Sequence, residues 1–477
     1  MSKSPAPYRS LLTWLVVATF TVILNETIML NAIPRLMDEF DVTARDAQWL
    51  STGFMLAMAV VIPVTGWFLQ RVTTRTAFLA AMTVFCTGTL LAALAWSFPV
   101  LVAARVVQAC GTAIMMPLLM TTLMMVVPEQ ERGGVMGNVT LAMSVAPALG
   151  PSVSGLILQS LSWRWLFWIV LPIAILVTVL GLRKLENVGE PHSESLDWPS
   201  VGLAAFGFGG FVYGLSQIGD AAATAVIHPA IAIPAGALII GVFVWRQRRL
   251  ARNATPLLDL DTLRNSTYRL CLALMGAAFM AMLGAMILLP LYLQDARELS
   301  VLKTGLLMMP GGLAMGLLGP TVGKWFDRLG ARPLVIPGSI GMVLALGLMS
   351  QVSTTMPYAA LLALHMTLMV SLALVFTPIF TIGLGALSPD LYSHGSSLLG
   401  TLQQLAAAGG TALVITVFSS RESSLTEAGK SAVDATVGGM QWAFGLTAII
   451  AVTVFALALR VPGRIEGSAA PAAESAG

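Results

Sequence analysis

Charge is the scarcest commodity in this chain. Only 10% of its 477 residues are Asp, Glu, Lys or Arg, while 57% are hydrophobic. A soluble domain carries roughly 25% charged residues, so a water-facing globule is excluded and an integral membrane protein is implied. Cysteine is nearly absent as well: Cys86, Cys110 and Cys271 all fall inside apolar runs with no C-x-x-C spacing. That removes a thiolate metal site and a redox pair and leaves three small buried hydrophobes. Missing too are G-x-x-x-x-G-K-[S/T], a nucleophile elbow and H-E-x-x-H, so no nucleotide, metal or cofactor site is expected and any work must draw on an ion gradient. The net charge of +3 is spread over loops rather than gathered in a patch, which argues against nucleic acid as a partner. No cleavable leader is expected: the first apolar run is too long for a signal core and contains an acid, so it is kept as a span.

What is present is a succession of long apolar runs. About 20 helical residues cross about 30 Å of hydrocarbon. That ruler places spans near 11–33, 49–70, 77–96, 99–121, 135–158 and 163–182. Others follow near 198–218, 227–245, 270–293, 304–323, 334–351, 357–382, 395–418 and 438–459. The expected fold is therefore an all-α integral membrane protein of 14 transmembrane helices. The connections are too short for a soluble domain. With the N-terminus inside, the cytoplasmic segments hold 18 Lys/Arg and the outer loops 7, with Arg105 left within a span. The positive-inside rule then places both termini in the cytoplasm. Trp163, Trp165 and Trp168 cluster at one span entry, where indole rings anchor at the interface. The ending from Gly467 is low-complexity and expected to be disordered.

An internal repeat organises these spans. Pro63, Gly66, Gln70, Arg71, Thr73 and Arg75 recur as Pro320, Gly323, Asp327, Arg328, Gly330 and Arg332 at a constant offset of 257. Two six-span halves separated by two extra spans would produce that offset, and parallel repeats around a midplane site are a common transporter plan. The expected domains are an N-terminal six-helix bundle (1–190) and an inserted helix pair with a basic loop (191–265). A pseudo-symmetric C-terminal six-helix bundle (266–462) and a tail (463–477) complete the chain.

Two ionisable residues stand inside spans. Glu26 is the sole acid in the body of any expected span, and such a carboxylate is costly and marks an ion pathway or a helix-to-helix hydrogen bond. Burial disfavours its charged form, which suits a group that binds and releases a proton. Arg105 enters from the opposite side to a similar depth, with Gln108 and Thr112 following on one face. It either faces a cavity and tunes Glu26, or binds backbone carbonyls between helices.

The chain resembles the major facilitator superfamily and, within it, the 14-span drug:proton antiporters. The repeated loop is similar to the superfamily signature G-x-x-x-D-R-x-G-R-[R/K], best matched by Gly323, Asp327, Arg328, Gly330 and Arg332, whereas the first copy has Gln70 and Thr73 in place of acid and glycine. The span around Arg105 resembles the family's membrane-buried arginine motif. Gly137, Ala146, Gly150, Pro151, Ser154 and Gly155 resemble the antiporter motif G-x8-G-x3-G-P-x2-G-G, with Pro147 alongside. Leu24, Asn25, Thr27, Ala32, Ile33 and Pro34 resemble the first-span motif, with the acid moved from the Asn25 position to Glu26 and the motif's Asn one later, at Asn31.

The resemblance implies a proton-coupled multidrug efflux antiporter of the bacterial cytoplasmic membrane, working as a monomer on lipophilic cationic small molecules by alternating access. Glu26 and Arg105 would couple protons. Asn25, Gln108, Thr112, Met116, Gln403 and Gln404 are the candidate cavity residues, methionines suiting a pocket that accepts several shapes. Gly137, Ala146, Pro147, Gly150, Pro151, Ser154 and Gly155, with Gly66, Arg71, Gly323, Asp327, Arg328 and Arg332, would form the conformational switch. Asp327 could cap a helix or pair with a base, while the Gln70 copy reads as a solvated turn. His365 reads as a packing residue. An exporter of an endogenous lipid or metabolite is the alternative; an uptake symporter or a membrane acyltransferase fits less well.

Overall fold

The structure is a computed structural model and describes residues 7–188, 196–218, 225–253 and 256–463. The expected tail lies outside these residues but for its first, Gly463, as does the start of the expected inserted segment. The described residues form helices α1 (Pro7–Ile28), α2 (Ile33–Phe40), α3 (Ala44–Arg71), α4 (Thr74–Ala93), α5 (Phe98–Val126), α6 (Arg132–Ser160) and α7 (Trp165–Lys184). They continue with α8 (Trp198–Ser216), α9 (Pro229–Asn253), α10 (Ser266–Leu291), α11 (Val301–Leu329), α12 (Arg332–Met349), α13 (Tyr358–Gly385), α14 (Tyr392–Glu427) and α15 (Ala432–Ala458). Thirteen of them are long and apolar enough to cross a membrane. The remaining expected span, α8, is a 19-residue helix whose glycines lower its mean hydropathy.

The first span ends earlier than its hydropathy suggests. α1 stops at Ile28, a single 3-10 turn covers Leu30–Ala32, and α2 begins at Ile33. Pro34, near the start of α2, lacks an amide hydrogen and is suited to the first turn of a helix, so it favours a fresh helix start here. α2 ends on Asp41 in a left-handed conformation (φ 50°). The Trp163 indole belongs to this junction rather than to the lipid interface. It is 1% exposed and donates to Glu39 Oε2 at 2.7 Å, beside an Arg164–Glu39 ion pair of 2.6 Å. Trp165 and Trp168 remain at the surface.

α1 packs on α5, α6 and α7, and α4 on α5 and α7; in the later part of the chain α10 packs on α13, α14 and α15, and α12 on α13 and α15. The two groups meet where α3 and α5 cross α14 and where α6 lies along α11. The α8–α9 hairpin covers that seam, with α8 resting on both α3 and α14. An Asp197–Arg246 pair of 2.7 Å staples the hairpin, and Gln247 Nε2 donates to Ser200 Oγ at 2.7 Å beneath it. Arg246 holds the Asp197 carboxyl down to about 2, against a smaller opposing effect of burial.

Candidate functional site

Arg105 sits in the second turn of α5 and is 2% exposed. Two glycines let α4 and α5 approach closely enough to enclose it. A Cβ on Gly88 would strike the backbone of Gln108, and one on Gly111 would strike the backbone at Ala81 and Phe85. Arg105 Nη1 donates to Gln108 Oε1 at 2.9 Å and to Asn25 Oδ1 at 3.4 Å. Gln108 Nε2 passes the chain on to Thr89 Oγ1 at 2.8 Å, and Thr112 Oγ1 donates to the Gln108 carbonyl at 3.1 Å. The guanidinium lies 4.3 Å from the Phe54 ring centroid. One cation therefore ties α1, α3, α4 and α5 together.

Glu26 lies next in sequence to the Asn25 that Arg105 holds. It is half-buried, and it and Arg105 feel each other electrostatically without an ion-pair contact. Nearby donors are left over: Arg105 Nε and Asn25 Nδ2 are buried without partners. An acid with no fixed partner, beside a buried cation with a spare donor, can change protonation at lower cost than an acid locked in a salt bridge.

Of the candidate cavity residues, Asn25, Gln108 and Thr112 are buried within this network, and Met116 is half-buried one turn further on. Gln403 and Gln404 are half-buried on α14 with no described hydrogen bond to the Arg105 network, and Gln403 Nε2 has no partner. Met115, Met120 and Met124 are packed in the core. His365 faces the Met308 carbonyl at 3.2 Å and packs against Gly311.

α6 presents two faces. On one, Gly150 lies against Thr27, Pro151 O accepts from Asn31 Nδ2 at 2.9 Å, and Thr27 Oγ1 reaches the Ala146 carbonyl at 3.4 Å. Ser154 bonds back to Pro151 O at 3.1 Å, and the space beside Gly155 is open. Pro147 and Pro151 lie within the helix. The other face meets α11 backbone to backbone. A Cβ at Gly137 would collide with the Gly319 carbonyl, and one at Gly323 with the Gly133 carbonyl. Gly133 and Gly319 were not singled out from the sequence, although Gly133-x3-Gly137 and Gly319-x3-Gly323 carry the small-residue spacing that allows such contact.

The repeated loops both reach across the seam. Asp327 Oδ1 and Oδ2 accept from the Gly133 and Gly134 amides, each at 2.8 Å, capping α6 from α11. Gln70 is not a solvated turn: its Nε2 donates to the Asp390 carbonyl at 2.9 Å and its Oε1 lies 3.1 Å from His394 Nε2. An amide can donate and accept at once, so glutamine makes two cross-seam bonds without a charge. Close by, Gly66 lies against His394 and Ser397, and Thr65 shares a 2.8 Å bond with Ser397. Arg71 stacks on Trp67 at 4.8 Å, and Arg332 Nη2 donates to the Leu459 carbonyl at 3.2 Å. Arg328 likewise has an interaction partner.

Arg132, missed in the sequence, is 8% exposed; it donates to the Val127 and Met124 carbonyls and to Tyr392 Oη at 3.4 Å. Thr121 pairs with Ser396 at 2.8 Å and Thr140 with Thr377 at 2.9 Å. Among the described residues, hydrogen bonds across the seam gather toward the end carrying Gln70, Arg132 and Asp327. Toward the other end the one hydrogen bond described across it is a 3.8 Å Ser152–Met309 contact, although α6 and α11 still pack there at Gly312 and Ala148.

Among the described residues, thirteen helices long and apolar enough to cross a membrane enclose a buried Arg105 network in one group and a polar closure at one end of the seam, an arrangement suited to a membrane transporter. The Major Facilitator Superfamily pattern matches residues 15–411, and the chain belongs to that family. It is 37% identical over 434 residues to the lincomycin resistance protein LmrB of Listeria monocytogenes, covering 90% of each chain. It is 28% identical over 401 residues to the multidrug resistance protein B homolog of Mycobacterium tuberculosis, covering 84% of this chain and 74% of that one. The human organic anion transporter MFSD10 has the same fold, with a TM-score of 0.67 over 95% of this chain and 100% of that one at 16% identity.

Proposed function

We propose that this protein is a proton-coupled multidrug efflux antiporter of the bacterial cytoplasmic membrane, with fourteen spans in two related halves and both termini in the cytoplasm. The observation that carries the reading is Glu26, an unpaired membrane acid beside the buried Arg105 network. In this orientation the closed end of the seam is cytoplasmic, so the conformation faces outward. Substrate leaves as Glu26 takes a proton; the inward-facing state returns that proton to the cytoplasm and takes up new substrate. Coupling arises because proton and substrate each bind one state better than the other. Lipophilic cations are the proposed substrates, and the relatives' names make lincomycin and multidrug-type compounds the first to test.

The test is transport in proteoliposomes under an imposed pH gradient. Glu26→Gln keeps the shape and removes the titration, so proton-driven efflux falls to background while the protein still purifies folded. Undiminished pH-dependent transport by this variant would sink the reading.

A further inference from the structure

A pocket of about 330 Å³ opens between the far part of α14 and the outer face of α15, lined by Thr416, Val417, Ser420, Arg421, Ser424 and Trp442. It belongs neither to the Arg105 network nor to the seam. Helix geometry gives its depth. α14 has 36 residues, about 54 Å of helix, against about 30 Å of hydrocarbon. Its start is bonded to Gln70 and Arg132 at the closed end. Arg421 lies roughly 44 Å further along, which is the headgroup layer of the opposite leaflet. Measured along the second helix the same place is shallower: Trp442 stands roughly 24 Å from the Ala458 end of α15, so the pocket lies at the far edge of the hydrocarbon, where tryptophan settles.

The chemistry of the pocket is that of an amphiphile site. The Arg421 guanidinium lies 4.9 Å from the centroid of the Trp442 ring, and its Nε is buried without a hydrogen-bond partner. Its neighbour Glu422 is engaged by the Thr436 hydroxyl, and among the described ion pairs none involves Arg421. Ser420 and Ser424 are exposed beside it, on one face of α14 with Thr416 and Leu413. Below this polar head the surface turns apolar: Leu413 is 45% and Ile449 66% exposed, and nothing lies within 4 Å of a Cβ placed on Gly445. An exposed apolar surface therefore continues from the cation toward the middle of the bilayer.

We propose that this groove holds an anionic phospholipid from the leaflet opposite the closed end. The phosphate sits against Arg421 and the Ser420 and Ser424 hydroxyls, and an acyl chain lies along Leu413 and Ile449. A guanidinium stacked on an indole is held in plane for phosphate oxygens, which a flexible ammonium would not be.

The experiment is thermal unfolding of the purified full-length protein titrated with short-chain phosphatidylglycerol, short-chain phosphatidylcholine or inorganic phosphate. Phosphatidylglycerol raises the Tm of the native protein, and Arg421→Gln needs about tenfold more lipid for the same shift, as loss of a charge-assisted contact requires. The ligand-free Tm stays unchanged, because Arg421 lies at the periphery. Should Arg421→Gln fail to fold, Ser420→Ala with Ser424→Ala serves instead and weakens the response several-fold. Equal responses of variant and native protein overturn the proposal, as does phosphatidylcholine matching phosphatidylglycerol. If inorganic phosphate alone matches the lipid, the groove is a free-phosphate site and the lipid assignment is wrong.

Discussion

Arg105 illustrates how one buried cation can hold several helices together. Its Nη1 reaches Asn25 and Gln108 while its plane lies on Phe54, three contacts that depend on a flat, forked cation. A lysine keeps the charge but offers a point of donors on a flexible stem. Arg105→Lys is therefore expected to fold, with transport falling about tenfold or more, the scale of one lost hydrogen bond to a charged group. Initial rates in proteoliposomes, set beside Tm, check this. Native rates in Arg105→Lys would reduce the residue to a generic positive charge. The sequence brought Arg105, Gln108 and Thr112 together by helical spacing alone. It could not show that Asn25 and Thr89, on other helices, complete the network. Nor could it show that Glu26 stands off from the cation rather than pairing with it.

At the scale of the element, the α8–α9 hairpin is closed by a charge pair at its base. Asp197 accepts from Arg246 Nε at 2.8 Å and Nη2 at 2.7 Å, and its hydroxyl contact with Ser200 begins α8. Because its carboxyl is held down to about 2, while an unfolded aspartate titrates near pH 3.9, the folded state binds fewer protons in between. The pair's stabilisation is thus complete above about pH 4 and lost as pH falls through about 2. Between pH 5 and 8 it contributes no pH dependence. Asp197→Asn should lower Tm by a constant amount from pH 5 to 8, and the gap from the native protein should close as acid is added below pH 4. A gap that opens or closes near neutrality would contradict the assignment. The hairpin was legible as two apolar runs, but its seat on both α3 and α14 was not. Nothing in hydropathy says which neighbour an apolar face will choose.

Across the whole molecule, the closed end of the seam joins two chemically different contacts. Asp327 brings a full negative charge to the α6 amides, whereas Gln70 makes neutral bonds to the α14 side. The helix N-terminus favours the charge. In Asp327→Asn one oxygen still accepts, but the amide nitrogen faces the other backbone N–H, losing a bond and the charge. The expected cost is about 1–2 kcal/mol, roughly a tenfold shift of population away from the closed end. A disulfide between Thr65→Cys and Ser397→Cys, whose native hydroxyls touch at 2.8 Å, reports that population. Its rate of formation should fall by about that factor in Asp327→Asn. An unchanged rate would show that the glycine contacts between α6 and α11 alone hold this end shut.

Local composition marked much of what depends on the bilayer as solvent. Apolar runs of about 20 residues marked the candidate spans, the basic loops gave an expected orientation, and the offset of 257 between the Pro63 and Pro320 segments is a repeat in the sequence itself. It also isolated Glu26 and Arg105, because a charge in hydrocarbon is rare enough to stand out unaided. Tertiary structure decided what depends on two distant segments meeting. The break of α1 before Pro34, the burial of Trp163 against Glu39, the bonding of Gln70 to His394 and the pressing of Gly137 onto Gly319 are of this kind. Each rests on a partner's geometry rather than on its own residue's preference. A hydrogen-bond partner or a missing Cβ acquires meaning only once the facing helix is in place.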